Sequence, residues 1–410
     1  MTRLGDLVTR DANAFFHQHG SSPCVGALRF ARGMWLEDAD GKCFIDLHGN
    51  SCHHVGHAHP RIVAALKQQL DELCFSPRRF TNRAATELAE RLTGRFRNGG
   101  SRLLFMPGGS EAIETAIRLA CVATGRSGII ALEGSYHGHG MGSLSLSESA
   151  LDDRLPHRIP GVFHLPPYWD EVQGGGDQMV DALARCLAAN SGRIACLVAE
   201  PMRSNCHVPP PDLWPRVANL CSIHGVKLIF DEIPSGLGKT GRFFAYEHFD
   251  VQPDVVVLGK ALGGGMLPLA AVVGDARMNM APELAIGHYT HEKNPLAAAV
   301  GLATLDIIES DGLIEKAAQH GDRLHQLLHD QIVGPFRLVL RGLGLFRALS
   351  FQGPTVGGDA LISAARACGI STTAKDQTSI GMSPPLAIND SDVIEISERI
   401  KMIPDQLSRR

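Results

Sequence analysis

Two residues of opposite charge each close an apolar run. Asp231 ends "VKLIFD" (226–231), and Lys260 ends "DVVVLGK" (254–260), 29 residues later and just before "ALGGG". Two further stretches belong with them. "MPGGSEA" (106–112) passes from an apolar run through two glycines into a helical pattern, and "SYHGHG" (135–140) sets an aromatic ring among small residues. A carboxylate, an amine, a glycine turn opening a helix and an aromatic ring are parts from which a site for a flat, anionic ligand can be made. The nearest nucleotide signature fails. Gly238-Lys239-Thr240 ends like a phosphate loop, but the position five before Gly238 is Ile233, and the aromatic "RFFAYEHFD" comes next instead of a helix pattern. A phosphate loop needs a helix N-terminus facing the phosphates. Taken singly, "DE" at 231–232 would be no more than the end of a surface strand.

Taken together, the four features fit pyridoxal-phosphate chemistry. Lys260 can form a Schiff base with the cofactor aldehyde. Asp231 can pair with the protonated pyridine nitrogen and keep the ring an electron sink. Gly109 and Ser110, at a helix N-terminus, offer N–H groups and a hydroxyl to the phosphate. Tyr136 can stack on one ring face. Ile233, two residues past Asp231 on an extended chain, can cover the other. Each has a plainer alternative alone: a helix cap, a solvated lysine, a core aromatic. Their joint order carries the reading.

Such residues meet only if strands deliver them to one edge. Apolar runs at 102–106, 128–133, 193–200, 226–232, 254–259 and 269–274 read as strands, and helical patterns at 110–124, 178–190 and 214–225 alternate with several of them. That alternation predicts a mainly parallel sheet covered on both faces, with ligands at the strand carboxyl ends. After Pro295 two helical stretches run to about residue 332, a strand-like segment spans 337–351, and a last helix lies near 391–408. Residues 1–60 are expected to join a small α+β domain, 61–305 to form the large domain, and 306–410 to complete the small one. The Pro- and Gly-rich stretches 156–176 and 208–212 read as surface connections.

Composition narrows the class. Charged residues are 20% of the chain and the net charge is −4, with no basic block, so a nucleic-acid partner is not expected. The most apolar tract, "DVVVLGKALGGGMLPLAAVVGD", is broken by Lys260 and glycines and makes a poor membrane span. The charged N-terminal stretch has no signal-peptide core, and the ten cysteines lack a CxxC pair, so reduced thiols in a cytoplasmic protein are expected.

Over nearly its whole length the chain resembles the class III aminotransferase family, of pyridoxal-phosphate fold type I. The resemblance rests on "GHAHPRIVAAL" (56–66), "GGSEA", "YHG", "AEP" (199–201), "DEI…GLGKTGRFFAYEHFDVQPDVVVLGKALGGG", "TH..NPLA" from 290 and "RGLGL" (341–345). It implies an α/β large domain with a mainly parallel seven-stranded sheet plus a small α+β domain. It implies that Lys260 and Asp231 are catalytic, and that Gly109, Ser110, Tyr136, His137, Glu200 and Ile233 lie around the cofactor. Thr290 would reach the phosphate of a neighbouring subunit, in a homodimer with shared sites.

The departures are informative. Where the family usually carries a carboxylate-binding Arg, three residues before "PPL", this chain has Gly381; where a second Glu would pair with that Arg, it has Asn205. Gly cannot imitate a bidentate clamp, which disfavours an ordinary 2-oxoglutarate transaminase. Pro234 replaces a Gln that would reach the cofactor's ring hydroxyl, while Arg203, Arg78 and Arg79 are added near pocket-lining segments. Each Arg alone could be a surface ion pair. Together they suggest a phosphoryl or phosphonate anion, with Arg203 and one of Arg78 or Arg79 as its ligands. Asn50 to His54 are expected to face the substrate. No metal is expected of the histidine-rich stretch 48–59, since no cysteine or carboxylate falls at ligand spacing around it. "HGNS", "SPRRFTNR", "EPMR", "DEIP" and "GHYTHEK" together resemble a narrower group: ammonia-lyases acting on (R)-1-hydroxy-2-aminoethylphosphonate. The alternatives are an amine transaminase with an unusual acceptor, and a non-catalytic relative that only binds. Retention of both Lys260 and Asp231 argues against the second.

Overall fold

The computed structural model describes residues 6–96, 100–147, 154, 158–169 and 175–408. Three strands come early: β1 (Leu28–Arg32), β2 (Trp35–Asp38) and β3 (Cys43–Asp46). Seven follow in the middle of the chain: β4 (Ser101–Met106), β5 (Gly128–Leu132), β6 (Val162–Leu165), β7 (Ile194–Ala199), β8 (Lys227–Asp231), β9 (Val255–Leu258) and β10 (Ala270–Asp275). Five close it: β11 (Ile332–Val333), β12 (Phe336–Leu343), β13 (Phe346–Gln352), β14 (Ile370–Ser371) and β15 (Ser379–Met382).

The middle seven form one sheet in the order β4-β10-β9-β8-β7-β5-β6. Only β10 runs against the rest; it pairs antiparallel with both β4 and β9. Strands β5, β7 and β9 are buried at every position, which requires helices on both faces. Those helices include Gly109–Thr124, Gly175–Ala189 and Leu213–His224. Two Gly residues in the left-handed region, Gly125 and Gly225, end the first and last of them.

β6 corrects the expectation that 156–176 is only a connection: "VFHL" pairs in parallel with β5 at the sheet edge. Residues 156, 157 and 170–174 of that stretch lie outside the described residues.

Two smaller sheets flank the large one. β1-β2-β3-β14 joins the N-terminal strands to residues 370–371, and β11-β12-β13-β15 is antiparallel throughout. The helix Pro60–Glu72 begins with Pro at its first turn, as the "GHAHP" stretch implies, and packs with Arg83–Arg95 against Pro295–Ser310. Asn82 and Asn294 cap the last two by accepting from Ala85 N–H and Ala297 N–H, both at 2.9 Å. Among the described residues no helix is long and apolar enough to cross a membrane.

Candidate active site

Because β4, β5, β7, β8 and β9 are parallel, their carboxyl ends share one edge, and the loops that follow carry the chemistry-bearing residues. Asp231 is the last residue of β8, paired in register with Val257 of β9; Lys260 follows three residues after Val257, just beyond the end of that neighbouring strand. Lys260 opens a short helical turn with φ +45°. A side chain there is strained, and such strain persists where the surroundings enforce it.

Asp231 is buried, and each of its oxygens accepts one hydrogen bond. His137 Nδ1 lies 2.8 Å from its Oδ2, and Ile233 N–H donates to Oδ1 at 3.1 Å. A carboxylate only accepts, so Nδ1 carries the proton of this pair. His137 thus touches Asp231, and among the described residues its buried Nε2 has no partner.

The helix Gly109–Thr124 begins at Gly108, which has no side chain to cap it, so its first N–H groups point out unsatisfied. Ser110 Oγ, beside them, accepts from His139 N–H at 3.0 Å. Two glycines are there for space. A Cβ on Gly109 would stand 2.8 Å from Ile233 Cδ1, and one on Gly138 would stand 2.4 Å from Ser110 Oγ. Tyr136 keeps 47% of its surface exposed, with its hydroxyl 2.8 Å from His139 Nδ1. Its phenol is pushed up by partial burial and by Asp231.

Lys260 and Tyr136 line a cavity of about 300 Å³, together with Asn50, Ser51 and Pro234. Asn50 and Ser51 both have positive φ. Asp46 holds their loop by accepting from His48 N–H (3.0 Å) and Gly49 N–H (2.9 Å). The tight turn sends the next residues inward, which corrects the expectation for His54. His54 is buried, with Nε2 3.1 Å from Gly236 O, and does not line the cavity. Its imidazole is held well below the usual range by burial and by nearby Lys239.

Glu200 follows β7 and is buried; burial raises its pKa against the pull of Arg203 and His137. Arg203 sits over Trp169 (5.5 Å to the ring centroid), 3.8 Å from Glu200 Oε2. The cavity wall nearby is formed by Ser204 and Cys206, not by Arg203. Arg78, Arg79 and Thr290 also lie apart from the cavity within the chain. Arg78 Nε is 3.5 Å from Glu292, and the exposed Phe75 packs on His291, so segments 75–82 and 290–293 form one surface.

The cavity holds cations that the sequence motifs do not mark. Lys375 and Arg347 line it, as do Ser383 and Gly381. Lys375 comes from the turn between β14 and β15. No Asp or Glu is among the described residues that line it.

A second cluster lies just behind. Asp46, His53 and His57 bring ligand-type atoms within 4.8 Å of one another. A carboxylate does therefore reach the histidines, which sequence spacing did not indicate, because Asp46 arrives on β3. The group is partly paired within itself: His57 Nε2 is 2.8 Å from Asp46 Oδ2 and His53 Nε2 is 3.2 Å from Asp46 O, while among the described residues His53 Nδ1 is buried without a partner. Burial would push the Asp46 carboxyl up, but His57, His53 and the two N–H donors bring it to about 2.

The residues present fit pyridoxal phosphate: an uncapped helix N-terminus for the phosphate, a buried carboxylate for the ring nitrogen, and a lysine on the adjacent strand. Residues 16–403 match the family Aminotransferase class-III. The (R)-1-hydroxy-2-aminoethylphosphonate ammonia-lyase of Vibrio splendidus is 33% identical, over 94% of this chain and 87% of that protein. An ornithine aminotransferase of Exiguobacterium sp. is 30% identical over 98% of each chain. The omega transaminase from Pseudomonas jessenii, solved in complex with PMP, superposes with a TM-score of 0.91 at 26% identity, covering 98% of each chain.

Proposed function

The chain belongs to the class III aminotransferase family and is a pyridoxal-phosphate enzyme of fold type I, and from that premise we propose that it is an ammonia-lyase. The substrate of this reading is (R)-1-hydroxy-2-aminoethylphosphonate, and the products are phosphonoacetaldehyde and ammonia. The observation that carries it is the cavity over Lys260. Gly381 and Asn205 stand where a carboxylate clamp would need Arg and Glu, and the described lining residues include Lys375 and Arg347 but no carboxylate. An enzyme that alternates an uncharged amine with a keto acid needs a charge that can be covered and uncovered, as an Arg–Glu pair is; a standing positive wall suits a single substrate that is always anionic. The ammonia-lyase relative supports the same reading.

Bound pyridoxal phosphate supplies an electron sink for the carbon that bears the substrate's amine. Asp231, oriented by His137, would hold the proton on the ring nitrogen. The uncapped N–H groups at Gly109 and Ser110 would hold the phosphate, and Tyr136 and Ile233 would pack against the cofactor. Lys260 Nζ takes a proton from the amine-bearing carbon as general base. Hydroxide leaves the neighbouring carbon, which carries the phosphonate, and a proton returned by Lys260 makes it water. The released enamine tautomerises and is hydrolysed by water to the aldehyde and ammonia, so water is lost once and regained once.

We assign the surface formed by 75–82 and 290–293 to a second copy of the chain. Phe75 and Phe80 are exposed there, next to Arg78, Arg79 and Thr290. In a homodimer these residues would serve the partner's site.

The deciding experiment is ammonia release from the hydroxylated aminophosphonate without any keto acid. Turnover only after pyruvate or 2-oxoglutarate is added would replace this reading by an amine transaminase, which the ornithine aminotransferase relatives favour.

A further inference from the structure

One charge in the cavity is left unanswered. Lys375 is fixed by its backbone: its N–H donates to Ser379 O at 2.8 Å, and Ala374 bridges Ile380. Beside it, Gly381 N–H donates to Thr373 O (2.9 Å), and Thr372 Oγ1 donates to Gly381 O (2.6 Å). The side chain then crosses Gly381, where a Cβ would stand 2.7 Å from Lys375 Cε. The missing side chain at Gly381 is therefore what gives the lysine stem its course. The second cation, Arg347, is already committed, with Nε donating to Gly344 O at 2.7 Å and Nη2 lying 3.7 Å from Asp322.

Among the described residues the Lys375 ammonium has no hydrogen-bond or ion-pair partner. Burial pushes its pKa down, and Lys260 and Arg203 add to this, against Cys206 and Glu200. A half-buried cation facing two others costs free energy until an anion arrives. Ser383 lines the same cavity, and among the described residues its Oγ is buried without a hydrogen-bond partner. Its N–H is spoken for by Leu47 O at 2.8 Å, so its hydroxyl stays in place as a spare donor. A point charge beside a hydroxyl suits a tetrahedral anion with several oxygens, whereas a planar carboxylate is matched best by a guanidinium fork.

We propose that Lys375, with Ser383, anchors the anionic end of the substrate, and that the end it selects is a tetrahedral dianion. The inference rests on the aminophosphonate reading above and names the residue that enforces it. It replaces Arg203, Arg78 and Arg79 as the phosphonate ligand within one chain.

The test is calorimetric binding of four small amines to the holoenzyme, with ammonia assayed in parallel so that any elimination from the two that carry an oxygen on the carbon next to the amine-bearing one is separated from binding. The four are 2-aminoethylphosphonate, O-phosphoethanolamine, β-alanine and ethanolamine. The first two separate a phosphonate from a phosphate ester, β-alanine offers a carboxylate, and ethanolamine offers no anion. The two dianions should bind more tightly than the other pair. Lys375→Gln should weaken them roughly tenfold or more, as loss of a charge-assisted contact does, and leave ethanolamine unchanged. Gly381→Ala, at a φ that Ala tolerates, should weaken them likewise by displacing the lysine without altering any charge. Lys375→Arg should restore part of the affinity. Unchanged dianion affinity in both Lys375→Gln and Gly381→Ala overturns the proposal, and so does a preference for β-alanine that depends on Lys375. Dianion binding through Lys375 with no ammonia from the hydroxylated substrate would sink the lyase reading alone. Ammonia release with an unchanged KM in Lys375→Gln would sink this inference alone.

Discussion

His137 Nδ1 lies 2.8 Å from Asp231 Oδ2, and both side chains are sealed from solvent. The imidazole fixes which way the carboxylate faces, and Ile233 N–H holds the other oxygen. His137→Ala removes the firmer of the two restraints and leaves Asp231 free to rotate. We expect kcat to fall about 10²-fold, the scale of a misplaced catalytic group, while the protein still takes up cofactor. Steady-state rates and the visible absorbance of bound cofactor check this. A kcat within twofold of wild type would mean that Ile233 alone orients Asp231.

Lys260 combines a required amine with a strained backbone at φ +45°. Lys260→Gly should abolish turnover, a loss of at least about 10³-fold given the base it removes. It should also stabilise the cofactor-free protein by roughly 1 kcal/mol, since glycine takes positive φ without a Cβ clash. Thermal melts of the two cofactor-free proteins make the comparison, because bound cofactor would stabilise only the form that holds it. Equal melting temperatures would show that the left-handed turn carries no strain.

Much of this arrangement is readable along the chain. The strands ending in Asp231 and Lys260 announce themselves as short apolar runs, because a sheet buried on both faces leaves no polar alternation. What escapes is whatever depends on contacts distant in sequence. β6 is four residues inside a Pro- and Gly-rich stretch, and only pairing with β5 makes it a strand. Nearness to Asn50 in sequence suggests that His54 reaches the cavity, but positive φ at Asn50 and Ser51 turns the chain before His54 is reached. Lys375 lies in a polar turn, "STTAKDQTS", with no pattern of its own; the fold of the small sheets brings it over Gly381. The vacancy at Gly381 is legible in the sequence, and the residue that fills it is not.

Asp46, His53 and His57 could be mistaken for a metal centre, yet Asp46 already accepts from His48 N–H, Gly49 N–H and His57. Dialysis against a strong chelator should therefore leave activity and melting temperature unchanged. Asp46→Ala, by contrast, should loosen the loop carrying Asn50 and Ser51 and cost about 2–5 kcal/mol, through buried hydrogen bonds to a charged group. KM should rise along with it. Activity lost to the chelator and restored by zinc would make the trio a metal site after all.

Lys239, the lysine of the "GKTG" stretch, reaches no phosphate. It is fully buried, and its ammonium donates to Pro384 O, tying the segment after β8 to the loop after β15. Burial lowers its pKa to about 7 from the ordinary 10.5, against the pull of Asp46 and Cys206. Between pH 7 and 10.5 the unfolded chain holds this proton and the folded chain does not, so Lys239 makes stability rise with pH there. Below pH 7 both states are charged, and the cost of burying the ammonium is fully present. Lys239→Met removes that cost, so its stability relative to wild type should be constant below about pH 6 and decline above about pH 7. The decline approaches roughly 1.4 kcal/mol per pH unit. Urea midpoints for both proteins at about pH 6 and about pH 8.5 measure it, and the difference between them cancels the opposing effect of buried Glu232, raised to about 8. A difference that does not change between these two pH values would mean that Lys239 keeps one charge state throughout.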